Sequence, residues 1–227
     1  MLKNLIAFKN PKSRAAEAFR TLRTNIQFSG LDENIKSIVV TSSGPGEGKS
    51  TVMINLAITI AQSGKRVIIM DCDLRKPTVH KKIGLPNSEG LTNLLIQEKK
   101  YEDIIIPTNV PNLYALTSGP TPPNPAELLG TKKMKQVIAD LEKAFDMILI
   151  DAPPVIAVTD AQIISTIADG TLVVTSYGNT EKFALVKTKE LLDKVGARIL
   201  GVVLNKVTEK SNHYYNKYYG SYYNSEE

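Results

Sequence analysis

The feature that most limits the possible folds of this chain is a series of short, continuous apolar runs. Each run is closely flanked by Gly, Lys or Asp, and its apolar residues do not alternate with polar ones. Such runs are typical of strands buried on both faces, as in a parallel sheet. The runs lie at 38–40, 67–70, 147–150, 172–174 and 199–204.

Helical stretches separate these runs, at 52–62, 131–144 and 182–195. Strands that alternate with helices predict right-handed crossovers and therefore a doubly wound, mostly parallel α/β sheet. The sequence has no internal repeat and no visible domain boundary, so we expect a single domain over residues 1–207.

Two flanks fall outside the alternation of strands and helices. Residues 13–29 predict an N-terminal helix whose apolar stripe consists of Ala15, Phe19, Leu22 and Ile26. Residues 208–227 are low in complexity and lack aliphatic side chains, so they cannot build a core. We expect this segment to be a mobile tail.

The composition limits the cellular setting. The net charge of +5 is carried by residues 1–25, which favours either a solvated basic arm or an arm that meets a membrane surface or an acidic partner. No basic stripe with interleaved aromatics is present, which argues against nucleic acid as a partner. A single cysteine, Cys72, and the lack of any apolar run near ~20 residues predict a soluble, cytoplasmic chain whose membrane link comes through a partner.

A glycine-rich loop between the first apolar run and the first long helix predicts a nucleotide site. Glycines let backbone N–H groups turn onto phosphate oxygens, and the helix that follows adds a favourable dipole. Lys49 is expected to reach the β- and γ-phosphates of ATP, and the Ser50 hydroxyl to bind Mg²⁺. Ser43 stands where the first glycine of the G-x-x-x-x-G-K-[ST] pattern is expected. The predicted ATP-binding residues of the loop are Gly44, Gly46, Glu47, Gly48, Lys49, Ser50 and Thr51.

Acidic residues end two of the predicted strands. Asp151 follows the run at 147–150, and an acid at this place beside a phosphate loop can hold Mg²⁺ or its water shell. Asp71 and Asp73 follow the run at 67–70, and their alternate spacing lets both point the same way. One of these two could act as the base for an incoming hydroxyl, and the sequence leaves open which one. Asp73 is also a candidate Mg²⁺ ligand, with Ser50 and Asp151.

These motifs together resemble one family. The glycine-rich loop at 43–50, the run Asp71-x-Asp73-x-Arg75, the acidic strand end at Asp151 and a closing tyrosine cluster look like the bacterial tyrosine kinases of capsule and exopolysaccharide synthesis, the CpsD/CapB type. The nucleotide motifs alone are generic to the MinD/ParA branch of P-loop ATPases. The acidic run combined with the tyrosine cluster is far more specific.

The resemblance implies an ATP-dependent protein-tyrosine kinase with Lys49, Asp71 and Asp73 as catalytic residues. Asn205 resembles the Asn that contacts adenine in related ATPases. Glu17, Arg20 and Arg23 are similar to the family's E-x-x-R-x-x-R oligomerisation motif, and their helical positions predict that they face outward. The phosphoacceptors implied by the tyrosine cluster are Tyr214, Tyr215, Tyr218, Tyr219, Tyr222 and Tyr223.

The resemblance also implies partners. We expect a ring-like homo-oligomer in which tails are phosphorylated in trans, a separate membrane-embedded activator, and further protein-tyrosine substrates. The alternative is a MinD/ParA-like ATPase that positions or times a partner without kinase activity. Relatives of that kind usually carry a further lysine near the start of the loop, but Gly44 and Pro45 occupy the two positions where it could stand.

Overall fold

The computed structural model describes residues 5–29, 35–97 and 99–207. The strands within these ranges are β1 (Ser37–Ser42), β2 (Val67–Asp71), β3 (Ile106–Pro107), β4 (Leu113–Leu116), β5 (Met147–Asp151), β6 (Gly170–Ser176) and β7 (Ile199–Asn205). The helices are α1 (Ile6–Lys9), α2 (Arg14–Ser29), α3 (Lys49–Ala61), α4 (Val79–Ile83), α5 (Leu91–Ile96), α6 (Tyr101–Ile104), α7 (Pro125–Leu129), α8 (Lys132–Ala144), α9 (Asp160–Ser165) and α10 (Lys182–Lys194).

The strands form one sheet in the order β3-β4-β2-β5-β1-β6-β7. All neighbouring strands are parallel except the pair β3 and β4, so the predicted doubly wound, mostly parallel sheet is confirmed. The register pairs Asp151 at the end of β5 with Val40 of β1 on one side and with Asp71 of β2 on the other. Because parallel strands end at the same edge, the loop after β1 lies beside the acidic ends of β2 and β5.

Helices cover both faces of the sheet. One core lies between the sheet and α2 and α3, and the other lies under α5, α8, α9 and α10. Every residue of β1, β2, β5 and β6 is buried, as the continuous apolar runs predicted. Strands covered on both sides have no solvent face, which explains why their sequences do not alternate.

The last strand departs from that prediction. β7 is the outermost strand of the sheet in the described part of the chain, and Val202 and Leu204 are 52% and 54% exposed. Val203 points the other way and packs against the core that includes α3. The prediction of burial on both faces was therefore wrong for this run, because an edge strand is only partly covered.

Two short strands were not predicted from the sequence. β4 pairs with β2 through Val67 and Leu113, and β3 pairs with β4 in the antiparallel direction. β4 spans only Leu113–Leu116 and keeps Tyr114 half-buried, so it lacks the continuous apolar character that marked the other strands.

The predicted N-terminal helix is present as α2, but its faces are rotated from the prediction. Ala16 is fully buried whereas Ala15 is exposed, and Phe19, Leu22 and Ile26 pack against the core that includes α3. The same rotation changes the direction in which the charged side chains of the helix point.

The expected outward direction of the α2 charges was wrong for Arg23. Its Nη1 donates to the carbonyl oxygen of Thr59 on α3 at 2.7 Å, and its Nε is buried without a hydrogen-bond partner. Glu17 and Arg20 stay partly exposed and bind each other, with 2.6 Å between Arg20 Nε and Glu17 Oε2. Within the described residues, no helix combines the length and apolar character that a membrane span requires.

Candidate functional site

The phosphate-binding loop runs from the end of β1 to the start of α3. Gly46 and Gly48 have φ angles of 77° and 95°, a backbone conformation that residues with a Cβ atom rarely adopt. Gly48 has a second constraint, because a Cβ placed on it would lie 2.2 Å from Nδ2 of Asn205. Ser43 is not among the residues with positive φ, which explains why this position accepts a side chain in place of the expected glycine.

Hydrogen bonds within the loop and from two other parts of the chain fix the shape of this loop. The Glu47 carboxylate accepts from the backbone N–H of Ser43 at 3.0 Å and from Oγ1 of Thr180 at 2.7 Å. Asn205 Nδ2 donates to the Glu47 carbonyl at 2.9 Å, and Lys206 Nζ donates to the Gly46 carbonyl at 2.7 Å. The loop is therefore preorganised by groups at the ends of β6 and β7.

These hydrogen bonds limit how Glu47 and Asn205 could contact ATP. The Glu47 side chain is turned into the loop and toward Thr180, so only its backbone could meet a phosphate. Asn205 lies beside the loop, as its predicted contact with ATP requires, and its amide nitrogen is engaged with the loop carbonyl. A contact between Asn205 and adenine stays a prediction.

The loop lysine lies between two of the predicted carboxylates. Lys49 Nζ is 2.9 Å from Oδ2 of Asp73 and 3.2 Å from Oδ1 of Asp151. Burial lowers the pKa of Lys49, but the charges of Asp151 and Asp73 and their hydrogen bonds outweigh it and raise the pKa above its ordinary value. Ser50 Oγ donates to Oδ2 of Asp151 at 2.6 Å, so the predicted lysine, hydroxyl and two acids form one connected cluster.

The two acids after β2 have different surroundings. Asp73 faces Lys49 and lines the cavity beside the loop. Asp71 is fully buried, and its carboxylate accepts from the backbone N–H groups of Asp73 at 3.2 Å and Val79 at 3.1 Å. Burial, together with the nearby charge of Asp151, raises the pKa of Asp71 well above its ordinary value. The expectation that both point the same way therefore fails, because Asp71 turns back to order the loop that carries Asp73.

A cavity of about 670 Å³ opens beside this cluster. It is lined by the loop, by Asp73 and by Pro153 and Pro154, and it also contains basic residues that sequence reasoning did not assign to the site. These are Arg75, Lys76, Lys82 and Lys206. A strongly basic cavity around a glycine loop suits a polyphosphate ligand.

Of these missed residues, only Arg75 and Lys76 had a signal in the sequence, because they continue the acidic run after β2. Lys82 is on α4 and donates to Oγ1 of Thr51 at 2.9 Å, and Lys206 follows β7. Both come close to the loop through the folding of distant segments, which no local pattern reveals.

The oxygen donors beside the loop fit a Mg²⁺ ion. Ser50 supplies a hydroxyl, and Asp151 and Asp73 supply carboxylates that share the Lys49 ammonium. Mg²⁺ is commonly bound by one or two protein carboxylates, with phosphate oxygens and water completing its coordination. The predicted tyrosine cluster, by contrast, lies outside the described residues.

Comparisons with known protein sequences point to one group of proteins. The sequence profile of the ParA family, described as NUBPL iron-transfer P-loop NTPase, matches residues 34–222. The tyrosine-protein kinase YwqD of Bacillus subtilis (strain 168) is 47% identical over 205 residues, which cover 90% of this chain and 86% of that protein. The tyrosine-protein kinase CpsD of Streptococcus agalactiae serotype Ia is 39% identical, with 86% and 84% covered.

A solved structure extends the similarity to three dimensions. The kinase domain of the Escherichia coli tyrosine kinase ETK superposes with a TM-score of 0.88 at 30% sequence identity, covering 91% of this chain and 81% of that one. These matches support the kinase interpretation rather than the alternative of an ATPase that only positions a partner. Within the described ranges, no cluster of three or more His, Cys, Asp or Glu side chains is arranged to hold a metal ion.

Proposed function

This chain belongs to the bacterial protein-tyrosine kinases within the ParA group of P-loop NTPases, and we propose that the cluster around Lys49 is its phosphoryl-transfer site. The reaction moves the γ-phosphoryl group of ATP onto tyrosine hydroxyls, and its role is to regulate capsular or exopolysaccharide synthesis and export. One observation carries the assignment of the site. The Lys49 ammonium, the Ser50 hydroxyl and the carboxylates of Asp73 and Asp151 form a single cluster beside the basic cavity.

In this proposal the residues of the cluster exchange partners when the nucleotide binds. A bound Mg²⁺ would supply positive charge next to the phosphates, held by Ser50 and Asp151, with Asp73 as a further ligand. Lys49 would then be released from the two carboxylates and could contact the β- and γ-phosphate oxygens. Because phosphoryl transfer depends mainly on positioning and charge stabilisation, these few groups are sufficient.

The transfer also requires a proton acceptor. The phenolic oxygen forms a bond to the γ-phosphorus, the bond from that phosphorus to ADP breaks, and the phenolic proton passes to a carboxylate. In this proposal Asp73 receives it directly, because Asp73 lines the cavity. Asp71 has the raised pKa that suits a base but is enclosed by backbone amides, so it would have to act through a movement of its loop.

Substitution of Lys49 tests the site. Lys49→Met is expected to abolish ATP turnover and tyrosine phosphorylation, since removal of one group that stabilises the transferring charge typically costs about 10²–10³ in rate. Lys49→Arg keeps a cation with different geometry and serves as the comparison. Intact mass after incubation with ATP and Mg²⁺ reports phosphotyrosine, and normal labelling in a folded Lys49→Met chain would refute the assignment.

We infer that the acceptors include the tail tyrosines and that the tail is phosphorylated in trans within a ring of subunits. Six of the nine tyrosines lie in residues 214–223. Twenty-two residues follow Asn205, which can span up to about 70 Å when extended, so length permits transfer in cis or in trans. A ring would hold each tail near a neighbouring site at high effective concentration. Each phosphate adds roughly −1.5 to −2 charges, which would release the tail from a phosphate-filled site and loosen the ring.

Mixing two chains tests transfer in trans. One chain carries Lys49→Met and an intact tail, and the other is active but truncated after Ser211. Phosphotyrosine on the Lys49→Met chain supports transfer between subunits. Its absence, with mixed oligomers confirmed and wild type labelled in parallel, favours transfer in cis.

The proposed ring contact involves Glu17, Arg20 and Arg23. Replacing all three with Ala should shift the particle toward monomer in light scattering, whereas a merely solvated ion pair contributes about 0–1 kcal/mol and would leave the size unchanged. Arg23→Ala alone is the control, because it removes the contact with Thr59 inside the subunit. If the single variant reproduces the whole effect, the charged motif does not form the interface.

We also propose a separate membrane-embedded activator that holds the kinase at the cytoplasmic face of the membrane. The motifs of this chain resemble those of the capsule and exopolysaccharide kinases, a family that the resemblance links to a membrane-embedded activator, and its relatives are tyrosine-protein kinases. Adding the cytoplasmic segment of a membrane protein encoded beside this chain should raise ATP affinity and turnover. Full activity of the isolated chain, unchanged by that segment, would contradict the proposal.

A further inference from the structure

A buried aspartate outside the predicted site holds one of the basic residues of the cavity. Asp160, the first residue of α9, is fully buried, with both of its carboxylate oxygens directed at Arg75. Arg75 Nε lies 3.0 Å from Oδ1, and Arg75 Nη2 lies 3.2 Å from Oδ2. Paired contacts of this kind fix the plane of the guanidinium as well as its distance.

The pair leaves part of the guanidinium available. Asp160 takes the Nε and Nη2 edge, and among the described residues Nη1 has no hydrogen-bond partner. Arg75 is 40% exposed at its side chain and lines the same cavity as Lys49, Ser50 and Asp73. The buried Asp160 therefore fixes the orientation of the Arg75 guanidinium and leaves its remaining N–H groups free to donate to a ligand in the cavity.

The pair also joins two segments that both contribute to the site. Arg75 lies in the loop after β2, two residues beyond Asp73, and Asp160 begins the helix that follows the loop after β5 and Asp151. A buried carboxylate destabilises the fold unless a cation pairs with it, and Arg75 supplies that cation for Asp160. An exposed ion pair that served only the surface would not require a fully buried acid.

We propose that Arg75 is a further catalytic residue, whose Nη1 contacts the γ-phosphoryl oxygens as their charge develops, and that Asp160 is its positioning residue. This inference rests on the proposed function of the Lys49 cluster. Asp160 touches no reacting atom and acts only by fixing the guanidinium. Arg supports this role better than Lys because its planar fork can bind a carboxylate on one edge and present donors on the other.

A double-mutant cycle tests the two roles. Arg75→Met is expected to lower kcat by about 10²–10³, the usual effect of losing a donor to the transition state. Asp160→Asn keeps the shape but weakens the hold on Arg75 and should lower kcat by up to about 10², since small misplacements of catalytic groups have effects of this size. KM for ATP should change little in both. Asp193→Asn, the same change in an exposed pair on α10, is the control and should leave kcat unchanged.

The decisive measurement is the effect of Asp160→Asn in a chain that already carries Arg75→Met. If Asp160 acts only through Arg75, the second change has no further effect on kcat. The double variant leaves neither charge buried alone. If Arg75→Met by itself unfolds, the cycle is built instead on Arg75→Lys, measured alone and together with Asp160→Asn. Multiplicative effects on kcat, or an unchanged kcat in Asp160→Asn, would overturn the inference.

Two readouts separate this inference from the proposed function. Each variant is assayed for ATP consumption and for phosphotyrosine. A wild-type chain that consumes ATP without labelling tyrosine would contradict the kinase site, while the cycle on ATP consumption would still decide the role of Arg75 and Asp160.

Discussion

Removing the Lys49 ammonium should destabilise the protein as well as inactivate it, and the loss should depend on pH. In the structure Lys49 is 12% exposed at its side chain, and its partners Asp73 and Asp151 are 8% and 0% exposed. Lys49→Met leaves these acids without a cation in a buried setting that also contains Asp71. Removing one partner of a buried ion pair typically costs about 3–5 kcal/mol.

The lower end of that range applies here, because burial raises the pKa of Asp151, and this carboxyl can bind a proton when the lysine is lost. A loss of about 3 kcal/mol lowers the melting temperature of a domain of this size by about 6–12 °C. Lys187→Met, which removes an exposed lysine paired with Glu190, is the matched control. Its effect should lie within about 1 kcal/mol.

The sign of the pH dependence follows from the pKa values. The pKa of Lys49 is raised in the folded chain, so its contribution is fully present below its unfolded value of about 10.4 and is lost only as pH rises through the folded value. Burial raises the pKa of Asp151, so at low pH this carboxyl is protonated and no longer needs the cation. The deficit of Lys49→Met should therefore be largest near pH 8 and shrink as pH falls toward about 4.

Thermal unfolding of both variants and wild type between pH 4 and pH 8 measures this deficit. Mg²⁺ added without nucleotide should raise the melting temperature of Lys49→Met more than that of wild type, because it can replace the missing charge. A deficit that is absent at pH 8, or that is equal at pH 5 and pH 8, would refute the electrostatic reasoning.

Three further predictions concern the phosphate loop, a buried acid and the sheet. Gly48→Ala should lower the free energy of unfolding by about 1–3 kcal/mol and weaken ATP binding in calorimetry, because φ is 95° and the added Cβ would meet Asn205. Adding Asn205→Ala removes the clash but not the backbone strain, so it should restore only part of the lost stability. The pKa of Asp71 is raised in the folded chain, so the stability that Asp71 contributes is lost as pH rises from 4 to 8. In denaturant titrations, Asp71→Asn should therefore gain stability relative to wild type over this pH range. A difference in stability between the two proteins that does not change with pH would contradict this. Leu149→Ala in the buried β5 should lower the free energy of unfolding by about 2–5 kcal/mol, whereas Leu204→Ala on the edge strand β7 should change it by no more than about 0.5 kcal/mol. Equal losses of stability would contradict the assigned burial.

Much of the fold could be predicted from local pattern. Five of the strands, the long helices α2, α3, α8 and α10 and the parallel sheet follow from the apolar runs and their spacing, because burial on two faces removes polar residues from a strand. The strands that escaped prediction, β3 and β4, are short and partly exposed, so their sequences carry little of that signal.

The candidate site was predictable where its residues belong to a continuous motif. The loop at 43–50, the acids after β2 and Asp151 were all expected from sequence, and the structure brings Lys49, Ser50, Asp73 and Asp151 together. The separate roles of Asp71 and Asp73 were not predictable, since they depend on which backbone amides each carboxylate meets after folding.

The sequence by itself determined the sheet, the nucleotide loop and the kind of chemistry, because each depends on neighbouring residues whose spacing fixes their geometry. Tertiary structure alone decided that Arg23 turns inward to Thr59, that Lys206 and Lys82 reach the loop, and that Asp160 lies behind Arg75. These contacts join segments that are far apart in the chain. Their partners are selected by packing across the sheet, which leaves no periodicity in the sequence to read.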